Sequence, residues 1–468
     1  MTWPAVVAWI IIFAGILPRS PIYLLYIFFG LGAFKSLSVL PEGSVTLVPQ
    51  ACCGVFLVCK LLYFDGRLLR AFDTAIDPAK LGLLFAFLFY SLFATYVMPR
   101  FFAHMVEVVA MNAQFSWATP LEPAVSNIAQ SGYMMMSVGI ALVFTLYGES
   151  GYFRRHYMRA LLMGDFILIA TGIADITLGD LLEPFRNAYA LLTDVEVLGA
   201  KRVVGLTPEA SVFGSTCVAA AANLIFLRPC FENAKVRNSL VPLAILGLLA
   251  MVALSTSSSG YVGVAVLAMA FAVNWLRRAW SPDAPNRDGM KWEAILVLLA
   301  VLVFLIVITM TPHALDYVFE MIDATIFKKS QTGSYEERTG WTRVALNAFF
   351  ATDGLGVGLG SVRTSNWFVN ILASTGVIGA ALLASFILRV YLRRCRAADP
   401  RIREFVTALK FGMVPLFATD ALVGTTPDIG VDLASSMGLI TSLTSSNAAE
   451  SFGSRAKATS HARVRSRP

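Results

Sequence analysis

The sequence is short of charge. Only 14% of its 468 residues are Asp, Glu, Lys or Arg, against about a quarter in soluble domains. That excludes an ordinary water-soluble fold. Histidine is scarce as well. His104, His156, His313 and His461 lie far apart in sequence, and nothing in their spacing suggests a metal cluster. The six cysteines follow no pattern. Cys52, Cys53, Cys59 and Cys217 fall in apolar runs, and Cys230 and Cys395 in basic loops, so neither a disulfide framework nor zinc-ligand spacing is visible. A P-loop, a dinucleotide-binding fingerprint and kinase signatures are absent. No segment carries a soluble basic face, so the net charge of +7 does not point to nucleic acid.

Apolar length fills the gap. Hydrophobic residues make up 57% of the chain, and the mean hydropathy is +0.68. A bilayer crossing needs about 20 residues, and such runs recur at 3–17, 22–37, 45–63, 81–98, 132–147, 158–177, 211–227, 239–254, 260–276, 293–311, 366–388 and 404–424. A weaker one lies at 429–444. The expectation is an all-α, polytopic membrane bundle of about twelve transmembrane helices with long extracytoplasmic loops. The alternating short strands of a transmembrane barrel are not present. The membrane domain covers 1–444, and the basic stretch 445–468 reads as a disordered tail. The first run lacks the basic start and cleavage site of a signal peptide and reads as a retained helix.

Basic residues set the orientation. The loops 64–80, 149–159, 228–238, 277–291 and 389–403 hold 19 Lys or Arg in 69 residues, whereas 99–131, 179–210, 255–259 and 312–365 hold 9 in 124. The first set is expected in the cytoplasm and the second outside. The count before residue 64 leaves the side of the N-terminus open.

Polar residues concentrate in the outer loops. In Lys201–Gly214, Arg202, Gly205, Pro208 and Glu209 lead into a helix. Pro208 suits its first turn and Glu209 its positive end, while Arg202 suits an anion. Ser255–Gly263 (STSSSGYVG) is a serine-rich turn entering a helix. It reads equally as a set of caps and as an anion-binding start. In the main outer loop, 312–365, Arg338 and Trp341 stand one helical turn apart, with Glu337 and Arg343 beside them. The run GLGVGLGS, Gly354–Ser361, follows, then Arg363 and Asn366. A solvated loop with ion pairs and an interfacial tryptophan is the plain account of this stretch. Asp165 and Asp175 stand within an apolar run, a placement that suggests function.

The order R-x-x-G-x-x-P-E, S-x-S-x-S-G, E-R-x-x-W and G-x-G-x-G-S-x-R-x-S across alternate outer loops resembles the family of O-antigen ligases and Wzy-type polysaccharide polymerases. The likeness covers about Lys201–Ala381. GSVRTSNW is more similar to the exopolysaccharide-polymerase branch. Two departures stand out: serine (Ser258 or Ser259) occupies the place of an arginine that family members carry in the serine turn, and Ser365–Asn366 occupy the place of the ligases' His-Asn pair.

The resemblance implies glycosyl transfer at the outer face of a bacterial inner membrane. An undecaprenyl-diphosphate-linked glycan would be the donor and another lipid-linked repeat the acceptor, or lipid A core in a ligase. Chain-length and export proteins would be partners. Arg202 and Arg338 would grip the diphosphate, and Glu209 would position or deprotonate the acceptor hydroxyl. Glu337, Trp341, Arg343, Gly358, Gly360, Arg363 and Asn366 would contact substrate, the glycines by letting backbone approach it. No D-x-D motif marks the outer loops, so neither metal nor cofactor is required. A permease or flippase for a lipid-linked sugar or small anion, drawing on Asp165 and Asp175, is the competing class. A non-catalytic export scaffold is the third.

Overall fold

The structure is a computed structural model that describes residues 2–40, 46–64, 66–111, 117–188, 196–197, 200–280, 289–291, 293–295, 298 and 333–445. Nearly all of the expected run 293–311, the first part of the main loop (312–332) and the tail 446–468 lie outside these residues.

The long apolar runs become helices because a chain in hydrocarbon must satisfy every backbone N–H and C=O within itself. In chain order they are α1 (Trp3–Ile16), α2 (Ile22–Gly30, ending in the 3-10 turn Leu31–Ala33), α3 (Pro49–Phe64), α4 (Leu68–Ile76), α5 (Gly82–Phe101), α6 (Val125–Tyr147), α7 (Gly151–Leu178), α8 (Ala210–Leu227), α9 (Val241–Ser255), α10 (Ser258–Trp280), α11 (Gly333–Ala351), α12 (Trp367–Leu392), α13 (Pro400–Val423) and α14 (431–445). Among the described residues, eight helices are long and apolar enough to cross a membrane, and α1, α2 and α3 are shorter apolar helices. The protein is a multi-pass membrane bundle; the expected total of about twelve crossings is not reached by length and composition alone. Among the described residues there are also two tiny antiparallel ribbons: β1 (Glu107–Val108) with β2 (Thr119–Pro120), and β3 (Glu196–Val197) with β4 (Ala200–Lys201).

The main core runs through the bundle, and α8, with Phe213, Cys217, Ala221 and Leu224 buried, is at its centre. A smaller second core sits at the basic-poor end. There Val106, Val108 and Leu121 pack on Ala345, Ala348 and Phe349 of α11 and on Val357 and Val362. The basic-rich end is tied by its own cations. The Lys60 ammonium donates to the carbonyls of Gly15, Ile16 (2.8 Å) and Pro18 and so caps α1. Arg393 donates to Ala79 O at 2.7 Å, and Arg67 lies 4.3 Å over the Tyr147 ring. Trp3, by contrast, meets Phe185 edge-on at 5.1 Å, and Asn187 donates to Thr2 Oγ1 at 3.2 Å. The chain therefore starts at the basic-poor end, which the charge count had left open.

The glycine run is interior packing. Gly354, Gly356, Gly358 and Gly360 all have positive φ, 77° to 86°, which L side chains rarely adopt. Between them Val357 and Leu359 are 0% exposed. The loop backbone enters the ladder of α12: Val357 N–H donates to Ala373 O at 2.8 Å and Gly358 N–H to Ser374 O at 2.9 Å. The break falls at Gly376 (φ 64°, ψ −171°), where an added Cβ would sit 2.4 Å from the carbonyl oxygens of Gly354 and Leu355.

Candidate functional site

The polar groups of the basic-poor end are built on the tips of three helices. α8 begins at Ala210 with Glu209 as its N-cap in extended conformation. Pro208 therefore precedes the cap and lies two residues ahead of the first helical position, a correction to its expected place in the first turn. Glu209 makes no capping hydrogen bond with its own helix. Its carboxylate instead receives Arg338 Nη2–H of α11 at 2.5 Å, and the same nitrogen donates to Ser211 Oγ at 3.2 Å. The pair is about one-fifth exposed, at 19% for Arg338 and 21% for Glu209, so it is shielded from solvent while still reachable.

Ser211 leads to the serine turn. Its carbonyl accepts from Ser259 Oγ at 3.4 Å, and the Ser259 and Ser257 hydroxyls bond each other at 2.8 Å. Gly214 and Gly260 let α8 and α10 close up here; a Cβ on Gly260 would lie 3.6 Å from Gly214 Cα. Arg202 reaches this turn from its own loop. Its Nε–H points to Ser255 O (3.3 Å) and Thr256 Oγ1 (3.2 Å), and its Nη2–H to Thr256 O (3.4 Å). Thr256 ends α9 in the left-handed region at φ 45°. Arg202 thus brings a guanidinium to the turn from the neighbouring loop. Arg202, Glu209 and Arg338 belong to one connected cluster of helix ends.

The loop that carries Arg202 is held by a buried ion pair. Arg186 Nη2–H donates to Asp175 Oδ1 at 2.6 Å, with side-chain exposures of 8% and 1%. Asp175 Oδ2 accepts Val204 N–H at 2.8 Å and Gly205 N–H at 3.1 Å. Asp175 is an anchor for the R-x-x-G segment at the end of α7.

The remaining residues divide. Trp341 is 5% exposed and its ring is covered by the Arg363 guanidinium at 3.9 Å, a cation–π contact that occupies the face a sugar would stack on. Glu337 precedes Arg338 on α11 and is partly buried. Arg343 is exposed and lies roughly 200° around the helix from Trp341 at 100° per residue; it is not brought to the cluster. Gly358 packs against Thr95 and Pro99, and Gly360 against Ser126, whose carbonyl would lie 2.4 Å from an added Cβ. Close packing accounts for these two glycines, in place of the expected approach to a ligand. Asn366 caps α12, its Oδ1 accepting Val369 N–H at 3.1 Å. Trp367 is 4% exposed and its Nε1–H donates to Asp428 O at 2.8 Å.

Three charged residues were missed in the sequence. Lys35 donates to Thr216 Oγ1 at 2.8 Å, and it is the leading opposite charge near Asp420 and Asp432. The available signal was a lone charge at the end of an apolar run. Among the described residues no group of three or more His, Cys, Asp or Glu is placed to hold a metal ion. No protein-family model matches the chain, and no curated protein matches it.

Proposed function

We propose that the protein is a membrane glycosyltransferase that joins lipid-linked oligosaccharide repeats, carried on undecaprenyl diphosphate, into a surface polysaccharide at the extracytoplasmic side of a bacterial inner membrane. The observation that carries this reading is the cluster at the tips of α8, α10 and α11. Two guanidiniums, Arg202 and Arg338, stand at these joined helix ends, Arg338 on Glu209 and Ser211 at the start of α8 and Arg202 on the last carbonyl of α9 and on Thr256, where the chain turns into α10. Guanidiniums beside the positive end of α8 suit a diphosphate leaving group. The anomeric carbon would pass to an acceptor hydroxyl while the bond to the diphosphate breaks and negative charge grows between the two arginines.

A ligase would use the same donor grip, but Asn366, at the place of the ligases' His-Asn pair, has its side chain committed to capping α12. The transporter reading rests on Asp165, a 7% exposed carboxylate within α7. Against it, the Arg202, Glu209 and Arg338 contacts lie at the helix tips and not at mid-helix.

The test is the size distribution of surface polysaccharide after deletion of the gene, with add-back of wild type or Arg338→Ala. A preorganised charge contact of this kind supplies about 3–4 kcal/mol to the barrier. The expected outcome is collapse of long polymer to single repeats on deletion and a drop of about 100- to 1,000-fold for the variant at normal membrane level. Full restoration by Arg338→Ala would remove Arg338 from the site. Long polymer released unattached would favour the ligase.

A further inference from the structure

A second polar patch lies beside the arginine cluster and has the opposite sign. Lys35 follows the 3-10 turn that ends α2 and is fixed to Thr216 on α8. Thr216 lies five residues inward from Ser211 on the same helix, about 7–8 Å along the axis at 1.5 Å per residue. Asp420, near the end of α13, and Asp432, at the start of α14, both have Lys35 as their leading opposite charge. Asp428 is a further charged neighbour of Asp420, but its Oδ2 already accepts Gly430 N–H at 2.9 Å. Among the described residues, no hydrogen bond is made by the Asp420 carboxylate; only its backbone oxygen is used, by Gly424 N–H at 2.9 Å.

Two contacts bring the end of α13, which carries Asp420, against α10 and α12. Thr419, the neighbour of Asp420, packs on Gly263 of α10, one turn below the serine turn, and Gly424 packs on Trp367 at the start of α12. An independent observation comes from α7. Asp165 is 7% exposed, its Oδ2 has no hydrogen-bond partner, and its charged neighbour is Asp432. Leaving a buried carboxylate unpaired is costly. Asp420 and Asp432 beside the Lys35 ammonium, with Asp428 next to Asp420 and Asp165 next to Asp432, make a surface that repels a diphosphate and accepts hydrogen bonds from a hydroxyl-rich guest.

Resting on the glycosyl-transfer reading above, we propose that the patch formed by Lys35, Asp420 and Asp432 is the acceptor-sugar subsite, and that Asp420 is the general base. Glu209 is then the partner that positions Arg338, since its carboxylate is engaged by that guanidinium at 2.5 Å. In the step, the acceptor oxygen bonds to the anomeric carbon and the carbon–oxygen bond to the diphosphate breaks. The electron pair leaves on the diphosphate oxygen between Arg202 and Arg338, and the acceptor proton passes to the Asp420 carboxylate. Lys35 balances the carboxylate charge before the proton arrives.

The test uses the full chain in nanodiscs, with lipid-linked repeats extracted from the deletion host as substrate and undecaprenyl diphosphate as the binding probe. Asp420→Asn is expected to lose polymerisation by about 100-fold or more, the usual range for a general base, while binding undecaprenyl diphosphate like wild type. Asp420→Glu is expected to recover part of the rate. If Asp420→Asn polymerises normally while Arg338→Ala does not, the acceptor assignment falls and the transferase reading stands. If Asp420→Asn loses binding of undecaprenyl diphosphate along with activity, Asp420 serves the donor or the fold, and the proposal is overturned. If neither variant changes polymer length in cells although deletion does, Arg338 and Asp420 both leave the site and the proposal falls; if deletion itself leaves polymer length unchanged, the transferase reading fails and the subsite with it.

Discussion

Asp175 shows how much can depend on one side chain. It is 1% exposed, takes Arg186 at 2.6 Å and accepts two backbone N–H groups from the loop that delivers Arg202. Removing one partner of such a pair leaves the other charge buried without compensation, at a cost of about 3–5 kcal/mol. Asp175→Asn should therefore lower the thermal unfolding midpoint sharply and reduce polymer formation, because Arg186 loses its counter-charge and the new amide NH2 must face either that guanidinium or the Val204 and Gly205 N–H groups. Asp175→Asn combined with Arg186→Met should regain part of the midpoint, since no unpaired charge remains. A midpoint for Asp175→Asn within a degree of wild type would remove the anchoring role. A different burden falls on Arg363 and Trp341. At 3.9 Å the guanidinium shields the indole, so any sugar stacking there would first have to displace Arg363.

Elements that hydropathy alone can find were legible, and those that depend on shape were not. The runs read at 81–98, 211–227 and 366–388 are helices at Gly82–Phe101, Ala210–Leu227 and Trp367–Leu392, because apolar length in lipid admits little else. α11 is polar enough to pass for loop, although the R-x-x-W spacing already had helical period and Trp341, Ala345 and Ala348 repeat it on the buried face. The broken α12 was invisible, since its cause is a loop 20 residues away entering the ladder at Gly376. Arg202, Glu209 and Arg338 were legible as candidates because charges in outer loops stand out; Lys35 and Asp420 were not, since 385 positions separate them. α4 was also missed, being only nine residues long. Its Ala71, Thr74 and Ala75 are buried, while Leu68, Leu69, Phe72 and Ile76 are 56%, 82%, 64% and 57% exposed, with Arg67, Arg70 and Lys80 close by. An apolar face flanked by cations fits a helix lying in the headgroup plane. A nitroxide on Leu69→Cys should collide with oxygen more often than with a water-soluble nickel chelate. The reverse preference would lift α4 out of the bilayer.

Orientation decides whether the arginine cluster can meet a lipid-linked glycan at all. The basic-rich loops gather at one end of the bundle, where Lys60 caps α1, Arg393 grips the 78–79 turn and Arg155 pairs with Glu232 at 3.3 Å. Cations flanking short loops are retained in the cytoplasm. The opposite end carries Trp3 against Phe185, the β1–β2 ribbon over α11, and the Arg202–Glu209–Arg338 cluster. The N-terminus and the candidate site should therefore share the outer face, a pairing that the charge count alone did not supply. In a background with the six native cysteines replaced, Thr2→Cys and Glu183→Cys should react with a membrane-impermeant maleimide in intact spheroplasts. Glu149→Cys, an exposed position at the basic-rich end, should react only after permeabilisation. Reaction of Glu149→Cys alone in intact spheroplasts would invert the bundle, turn the arginines toward the cytoplasm and end the case for an extracytoplasmic transferase. Reaction of Glu183→Cys without Thr2→Cys would leave the site outside and break the link between α1 and the 179–185 turn that the Trp3–Phe185 contact requires.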